Sequence, residues 1–167
     1  MDIRPARRED VPALLDIYNY EVINGAATLD LNTRTLEEWY EWYDAHNGAH
    51  SKGNHPLIVG AEDGEITGYA SLSEYRQKEA YKTTVELSIY VSPNHRKKGV
   101  GRALMAHILE MAKNDEGTHC VVSVITAGNE ASTKLHAEFG FTCCGTIPEV
   151  GMKFGRMLDI ENYALIV

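Results

Sequence analysis

The chain has 167 residues, 44% of them hydrophobic, and a formal net charge of −8, enough length and apolar content for one compact domain over residues 1–167. The acidic balance excludes a general affinity for nucleic acid or anionic membrane, both of which need clustered Lys and Arg, so any anion site must be local. No apolar run of about 18 residues occurs and Met1-Asp2-Ile3-Arg4-Pro5 lacks the layout of a secretory leader, so a cytoplasmic location is expected.

Residues 3–6 read as a short strand. A helix follows from Glu9, where Val11, Leu14, Leu15 and Tyr18 recur at i, i+3, i+4 and i+7 as a core stripe. Thr35-Leu36-Glu37-Glu38 matches a capping box, a hydroxyl at the helix start and a carboxylate three residues on, and predicts a second helix through Trp39, Trp42 and Tyr43. Residues 56–61 and 66–73 form a predicted antiparallel hairpin about Asp63-Gly64, and residues 83–91 alternate as a long strand. Beyond Pro93 a basic, glycine-bearing loop leads into a helix whose apolar positions are Leu104, Met105, Ile108, Leu109 and Ala112. Residues 120–125 read as an apolar strand, 130–139 as a helix ended by Gly140, and 142–146 and 156–166 as two closing strands. The order predicts an α/β fold, a mixed, mostly antiparallel sheet of about six to seven strands flanked by about four helices.

The loop Arg96-Lys97-Lys98-Gly99-Val100-Gly101-Arg102 puts backbone N–H groups, a helix N-terminus and four basic side chains in one place, the physical requirements for a pyrophosphate site. It is not a Walker A loop, since G-x-x-x-x-G-K-[ST] is absent. Nor is it a dinucleotide fingerprint, because Leu104 stands where G-x-G-x-x-G needs its third glycine. The glycine spacing alone favours a basic turn with a tight bend.

The position of R-x-x-G-x-G after a strand ending Tyr90-Val91-Ser92-Pro93, and before a small-residue helix, resembles the acetyl-CoA loop of GNAT N-acetyltransferases. Downstream, Asn129-Glu130-Ala131-Ser132 and Leu135-His136-Ala137-Glu138-Phe139-Gly140-Phe141 are similar to that superfamily's N-x-x-[AS] and L-[YH]-x-x-x-G-F. The string Arg76, Ala80-Tyr81, Thr84, Glu86, Ser88 and Tyr90-Val91 looks like the phosphinothricin and methionine sulfoximine acetyltransferase branch, as does Gly151-Met152-Lys153. The resemblance implies acetyl-CoA as co-substrate, with Ile89, Tyr90 and Val91 along its pantetheine arm, residues 96–102 at its pyrophosphate, and Asn129 and Ser132 in contact with it. It also implies a homodimer and a small-molecule amine as acceptor, met by Arg76, Tyr81, Thr84 and Lys153.

Acetyl transfer to an amine needs a neutral amine, a stabilised oxyanion and a proton for the departing thiolate. Glu86 lies inside an otherwise apolar and hydroxylated strand, where partial desolvation would make it a usable general base; otherwise it is a solvated strand carboxylate. By the resemblance, the backbone N–H groups around Tyr90 and Val91 form the oxyanion hole and His136 stands where many relatives place a proton-donating tyrosine. The imidazole suits that task, and equally a packing role on the helix. Arg76 forks to both oxygens of an amino-acid carboxylate, or is a surface charge. Other amines as acceptor, or a CoA-binding module without catalysis, remain the alternative functions. The cysteines, with Cys143 and Cys144 adjacent, make no disulfide framework or metal knuckle and read as buried thiols. The histidines form no ligand spacing, so no metal is expected.

Overall fold

The computed structural model describes residues 1–48, 50–51 and 53–167. In chain order it contains β1 (Asp2–Pro5), α1 (Val11–Asn24), α2 (Leu36–His46), β2 (Leu57–Glu62), β3 (Glu65–Glu74), β4 (Thr84–Val91), α3 (Val100–Asn114), β5 (Cys120–Thr126), α4 (Glu130–Glu138), β6 (Thr142–Lys153) and β7 (Arg156–Ile166). The strands form one seven-stranded sheet in the order β1-β2-β3-β4-β5-β7-β6. Every neighbouring pair is antiparallel except β4 and β5, so the expected α/β class and mixed sheet hold.

Local chemistry places the helices and turns. Asp10 accepts from the Arg7 amide at 2.7 Å and pairs with Arg4, fixing the entry to α1, where Pro12 occupies the first turn. Burial pulls the Asp10 carboxyl upward in pKa, but the Arg4 and Arg7 bonds outweigh it and hold the group below its ordinary value. The capping box of α2 closes both ways, Glu38 N–H to Thr35 Oγ1 at 3.3 Å and Thr35 N–H to Glu38 Oε2 at 2.7 Å. Asp63 and Gly64 both take positive φ, 50° and 85°, the paired left-handed conformations that a two-residue hairpin turn needs.

The sheet carries a core on each face. On one, Ala70, Leu72, Val85 and Leu87 pack under α3 through Leu104, Met105 and Ile108; on the other, Leu57, Val59 and Tyr69 pack under α1 and α2 through Val11, Leu14 and Trp39. Residues of β3 and β4 therefore alternate between two covered faces, which puts Tyr69, Ser71 and Ser73 on the α2 side.

Three expectations are corrected. The strand expected over 142–146 continues to Lys153, because register shifts at Cys143/Gly145 and Ile147/Gly151 break the alternation that marks a strand while pairing with β7 persists. Cys143 and Cys144 are exposed rather than buried, since β6 is a sheet edge, while Cys120 is half-buried. The amino-acid pattern of Trp39, Tyr40, Trp42 and Tyr43 on α2 suggests an exposed aromatic cluster, for contact area or for covering the acceptor site, yet Trp39 is only 8% exposed and Tyr40, Trp42 and Tyr43 are half-buried, packed towards the sheet.

Candidate active site

Parallel strands β4 and β5 pair through Thr84–Cys120, Val85–Val121 and Glu86–Val122, and there the ladder ends. Both strands run on, β4 to Val91 and β5 to Thr126, so beyond Glu86 they part like a fork. The β4 edge facing β5 thus presents unpaired backbone groups to the cavity, where water or a ligand can pair with them.

The fork opens into a cavity of about 750 Å³, lined on one side by Leu87, Ser88, Ile89, Tyr90 and Val91 and on the other by Ser123 to Asn129. Its end is closed by Arg96, Lys97, Gly99, Val100 and Gly101. Lys97 and Gly99 take positive φ, 61° and 83°, and Gly99 caps α3 with no side chain over the first-turn amides. Those N–H groups and the helix dipole suit a pyrophosphate. Asn129 and Ser132 line the same cavity, and Asn129 Oδ1 accepts from the Ser132 amide at 3.2 Å to cap α4. Lys98 and Arg102 do not line it: Lys98 is exposed, and Arg102 is turned by the first turn of α3 to an ion pair with Glu138. Arg96 pairs with Glu21 of α1, which also lines the cavity.

His136 lines the cavity at the fork and is held at both nitrogens. Its Nδ1 lies 2.8 Å from the Ser132 carbonyl and its Nε2 2.9 Å from Ser123 Oγ. A carbonyl only accepts, so Nδ1 carries the proton of the neutral ring and Nε2 accepts from the serine hydroxyl. Burial lowers the imidazole pKa, partly offset by the Ser132 carbonyl bond.

A second cavity, of about 690 Å³, lies on the α2 side of the sheet. Its floor is a ladder of three cross-strand pairs, Tyr69–Tyr90, Ser71–Ser88 and Ser73–Glu86, and its walls include Tyr18, Asp30, Arg34, Trp39 and Trp42. The two cavities share Ala27, Ser88, Tyr90, Val124 and Thr126, so they communicate beside the fork. Glu86 is half-buried in this wall, and burial raises its pKa above the usual glutamate value. Tyr18 is pushed up to about 12 by burial and by its bond to Asp30. The Trp39 Nε1–H and the Tyr69 hydroxyl are buried without a hydrogen-bond partner. Asp30 is paired with Arg34 at 2.9 Å.

All four expected acceptor contacts, Arg76, Tyr81, Thr84 and Lys153, fall outside this lining. Arg76 is exposed, its guanidinium 4.9 Å from the Tyr75 ring centroid and 5.6 Å from that of Tyr81. Thr84 begins the β4–β5 ladder opposite Cys120. Lys153 is 3% exposed, its Nζ donating to the Thr28 carbonyl at 2.9 Å and tying β6 to the segment after α1. Burial lowers the Lys153 pKa, against the opposing pull of Glu21 and Asp30. Sequence reading missed Tyr18, Asp30, Arg34, Ser71, Ser73 and Ser123 as lining residues. A signal existed for the floor, because Ser71, Ser73, Glu86 and Ser88 put polar groups at period two on adjacent apolar strands. Among the described residues no group of three or more His, Cys, Asp or Glu side chains is placed to hold a metal ion.

A forked strand pair, a glycine-bearing helix N-terminus at one end and a half-buried carboxylate at the crotch form two communicating cavities, the first suited to an extended, anionic ligand. The profile of the acetyltransferase (GNAT) family matches residues 18–141. The L-amino acid N-acyltransferase MnaT of Escherichia coli is 39% identical over 96% of this chain and 90% of its own length. A phosphinothricin N-acetyltransferase of Streptomyces coelicolor is 41% identical over 98% of this chain and 94% of its own. The crystal structure of a GNAT phosphinothricin acetyltransferase from Sinorhizobium meliloti, in complex with acetyl-CoA, superposes with a TM-score of 0.92 at 30% identity, covering 99% of this chain and 88% of that one. The chain belongs to the GNAT acetyltransferase family, and it is an N-acetyltransferase.

Proposed function

We propose that the protein transfers acetyl from acetyl-CoA to the α-amino group of a small amino acid or analogue of the phosphinothricin or methionine sulfoximine type, by direct attack with Glu86 as general base. The observation that carries this reading is the placement of Glu86. It is the last residue of β4 paired to β5, it borders the acceptor cavity, and burial raises its proton affinity towards that of an effective base.

Acetyl-CoA supplies the activated acyl thioester. The unpaired edge of β4 from Leu87 to Val91 would hold its extended arm, and the free amides of Val100 and Gly101, with Arg96 and Lys97, its pyrophosphate. Glu86 accepts a proton from the incoming ammonium, directly or through water, and leaves the amine free to attack. An N–H of the parted strand near Tyr90 and Val91 meets the developing oxyanion. The neutral His136 ring has committed its Nδ1 proton to a carbonyl and has only a lone pair at Nε2, so it serves the departing thiolate as a relay: through the Ser123 hydroxyl, Nε2 takes the proton shed by the attacking nitrogen in the tetrahedral intermediate and returns it by the same hydroxyl to sulfur, ending neutral.

Homodimerisation belongs to the same reading, since the β6–β7 hairpin leaves Ile147, Val150, Met152, Phe154 and Met157 exposed along a sheet edge. One observation favours a second acceptor class: the acceptor cavity presents Asp30, Glu38, Glu41 and Glu86 against a single cation, Arg34, a balance suited to a cationic amine. A thiol-release assay with acetyl-CoA decides between them. Selective turnover of phosphinothricin, methionine sulfoximine or methionine sulfone supports the amino-acid reading; turnover of spermidine or an aminoglycoside alone replaces it with the cationic one.

A further inference from the structure

His46, at the end of α2, is held in the same way as His136, yet it lines neither cavity. Its Nδ1 lies 2.7 Å from the carbonyl of Trp42 and its Nε2 2.8 Å from Ser73 Oγ, and the residue is 5% exposed. The carbonyl cannot donate, so the neutral ring keeps its proton on Nδ1. Nε2 then presents a lone pair, and the one hydroxyl proton of Ser73 must point to it.

The consequence falls on the other side of Ser73. Ser73 stands directly across the β3–β4 ladder from Glu86 on the same face, and both border the acceptor cavity. Directly opposed side chains of an antiparallel pair have Cβ atoms about 5 Å apart, within reach of one another or of one bridging water. With its proton committed to His46, Ser73 Oγ offers Glu86 only lone pairs. Such a neighbour accepts a hydrogen bond from a carboxylic acid and has none to give a carboxylate, so it favours the protonated form.

We propose that His46 and Ser73 are a positioning pair for the reaction, in which His46 orients the Ser73 hydroxyl away from Glu86 and so keeps that carboxylate strongly basic. This rests on the reading of Glu86 as the general base. The other charged or titratable groups around Glu86 in the cavity are Tyr18 from α1, Asp30 and Arg34 from the following segment, Glu38 and Glu41 from α2, Tyr69 of β3 and Tyr90 of β4. Asp30 and Arg34 offset each other, and Glu38 is held by Thr35 and Arg34. Behind the pair, the ring of His55 lies 6.4 Å from that of His46. Burial lowers the pKa of His46, so the neutral tautomer that this arrangement needs persists through neutral pH.

The pair is tested on the full chain by following the Glu86 carboxyl carbon in a 13C NMR pH titration, its signal assigned by loss in Glu86→Gln. Ser73→Ala removes the oriented oxygen, His46→Leu frees the hydroxyl to turn towards Glu86, and His46→Gln retains an amide able to reproduce both bonds. The Glu86 midpoint is expected to fall by about half to one pH unit in Ser73→Ala and in His46→Leu, and to stay near the original in His46→Gln. In the double variant Ser73→Ala/His46→Leu it is expected to fall no further than in either single one. A midpoint that moves by less than about 0.2 units in Ser73→Ala overturns the pair whether or not His46→Leu folds, as do additive shifts. Turnover of Glu86→Gln separates the two readings. Full activity in that variant removes the general base itself, whereas lost activity with an unmoved midpoint removes only the pair.

Discussion

The two cavities that meet at the fork are made of different material. The cofactor cavity is framed by backbone: the unpaired edge of β4, the left-handed turn at Gly99 and the open first turn of α3. The acceptor cavity is framed by side chains from α1, the segment before α2, α2 itself and both central strands, with Tyr18, Trp39, Trp42, Tyr69 and Tyr90 as its aromatic surface. Backbone geometry is set by a few glycines and a helix start, so a short motif suffices to specify it. A side-chain pocket is set by which elements the fold brings together, and each substitution changes its shape. Within one molecule, then, the cavity proposed for the acyl carrier rests on short segments, and the one proposed for the acceptor rests on side chains from many.

Substitutions that act on one half and spare the other sharpen this contrast, and the largest effect is expected at Glu86. Glu86→Gln should lower kcat by about 10²–10⁴-fold, the range general base catalysis supplies, while acetyl-CoA binding measured by calorimetry stays unchanged. A parallel loss of acetyl-CoA affinity would mean that the halves are not separable at the fork. On the cofactor side, Gly99→Val forces a β-branched residue into φ of 83°, at a cost of about 1–2 kcal/mol that the loop would relieve by leaving its binding conformation. The expected result is a rise of about tenfold in KM for acetyl-CoA with the acceptor KM unmoved.

On the acceptor side, Trp39→Phe keeps an aromatic ring between Tyr18 and Trp42 but removes the unpartnered indole N–H and reshapes the wall. It should raise the acceptor KM about threefold to tenfold and leave acetyl-CoA unaffected, an inverse of the Gly99 result. The smallest effect belongs to the loop lysines. Lys97 borders the cofactor cavity and Lys98 does not, so Lys97→Ala should weaken acetyl-CoA about twofold to fivefold at low salt and less at high salt, with Lys98→Ala close to neutral. Equal effects from both would show that net positive charge, rather than placement, serves the pyrophosphate.

The same division explains what the sequence disclosed. The strand-loop-helix at Arg96 to Gly101, the capping box at Thr35 and the turn at Asp63-Gly64 are local rules, and each appears where expected. Glu86 and His136 could be singled out because a carboxylate and an imidazole stood in segments otherwise suited to burial. Arg102 could not be separated from Arg96 by proximity in the chain, because the turn of α3 that carries it away to Glu138 is a three-dimensional fact. Arg76 has a similar history: it precedes β4 closely in sequence, but lies against Tyr75 and Tyr81 rather than in the cavity lining. The length of β6 was hidden by its bulges, and Lys153 at its far end is buried by contact with Thr28, more than a hundred residues away in sequence. Ser73 and Ser123 are ordinary strand serines until the helices that bring His46 and His136 onto them are in place.

The fork also bears on how a sheet this wide carries an unpaired margin in its middle. A strand with unsatisfied amides is ordinarily a hazard, an invitation to any extended polypeptide that passes. Here the open margin of β4 is turned inward, faced by β5 and walled by the starts of α3 and α4. What can enter is a slender thread with amides of its own and no side chains to clash, which stitches the gap without adding a strand. An edge so enclosed suits a small guest better than another strand.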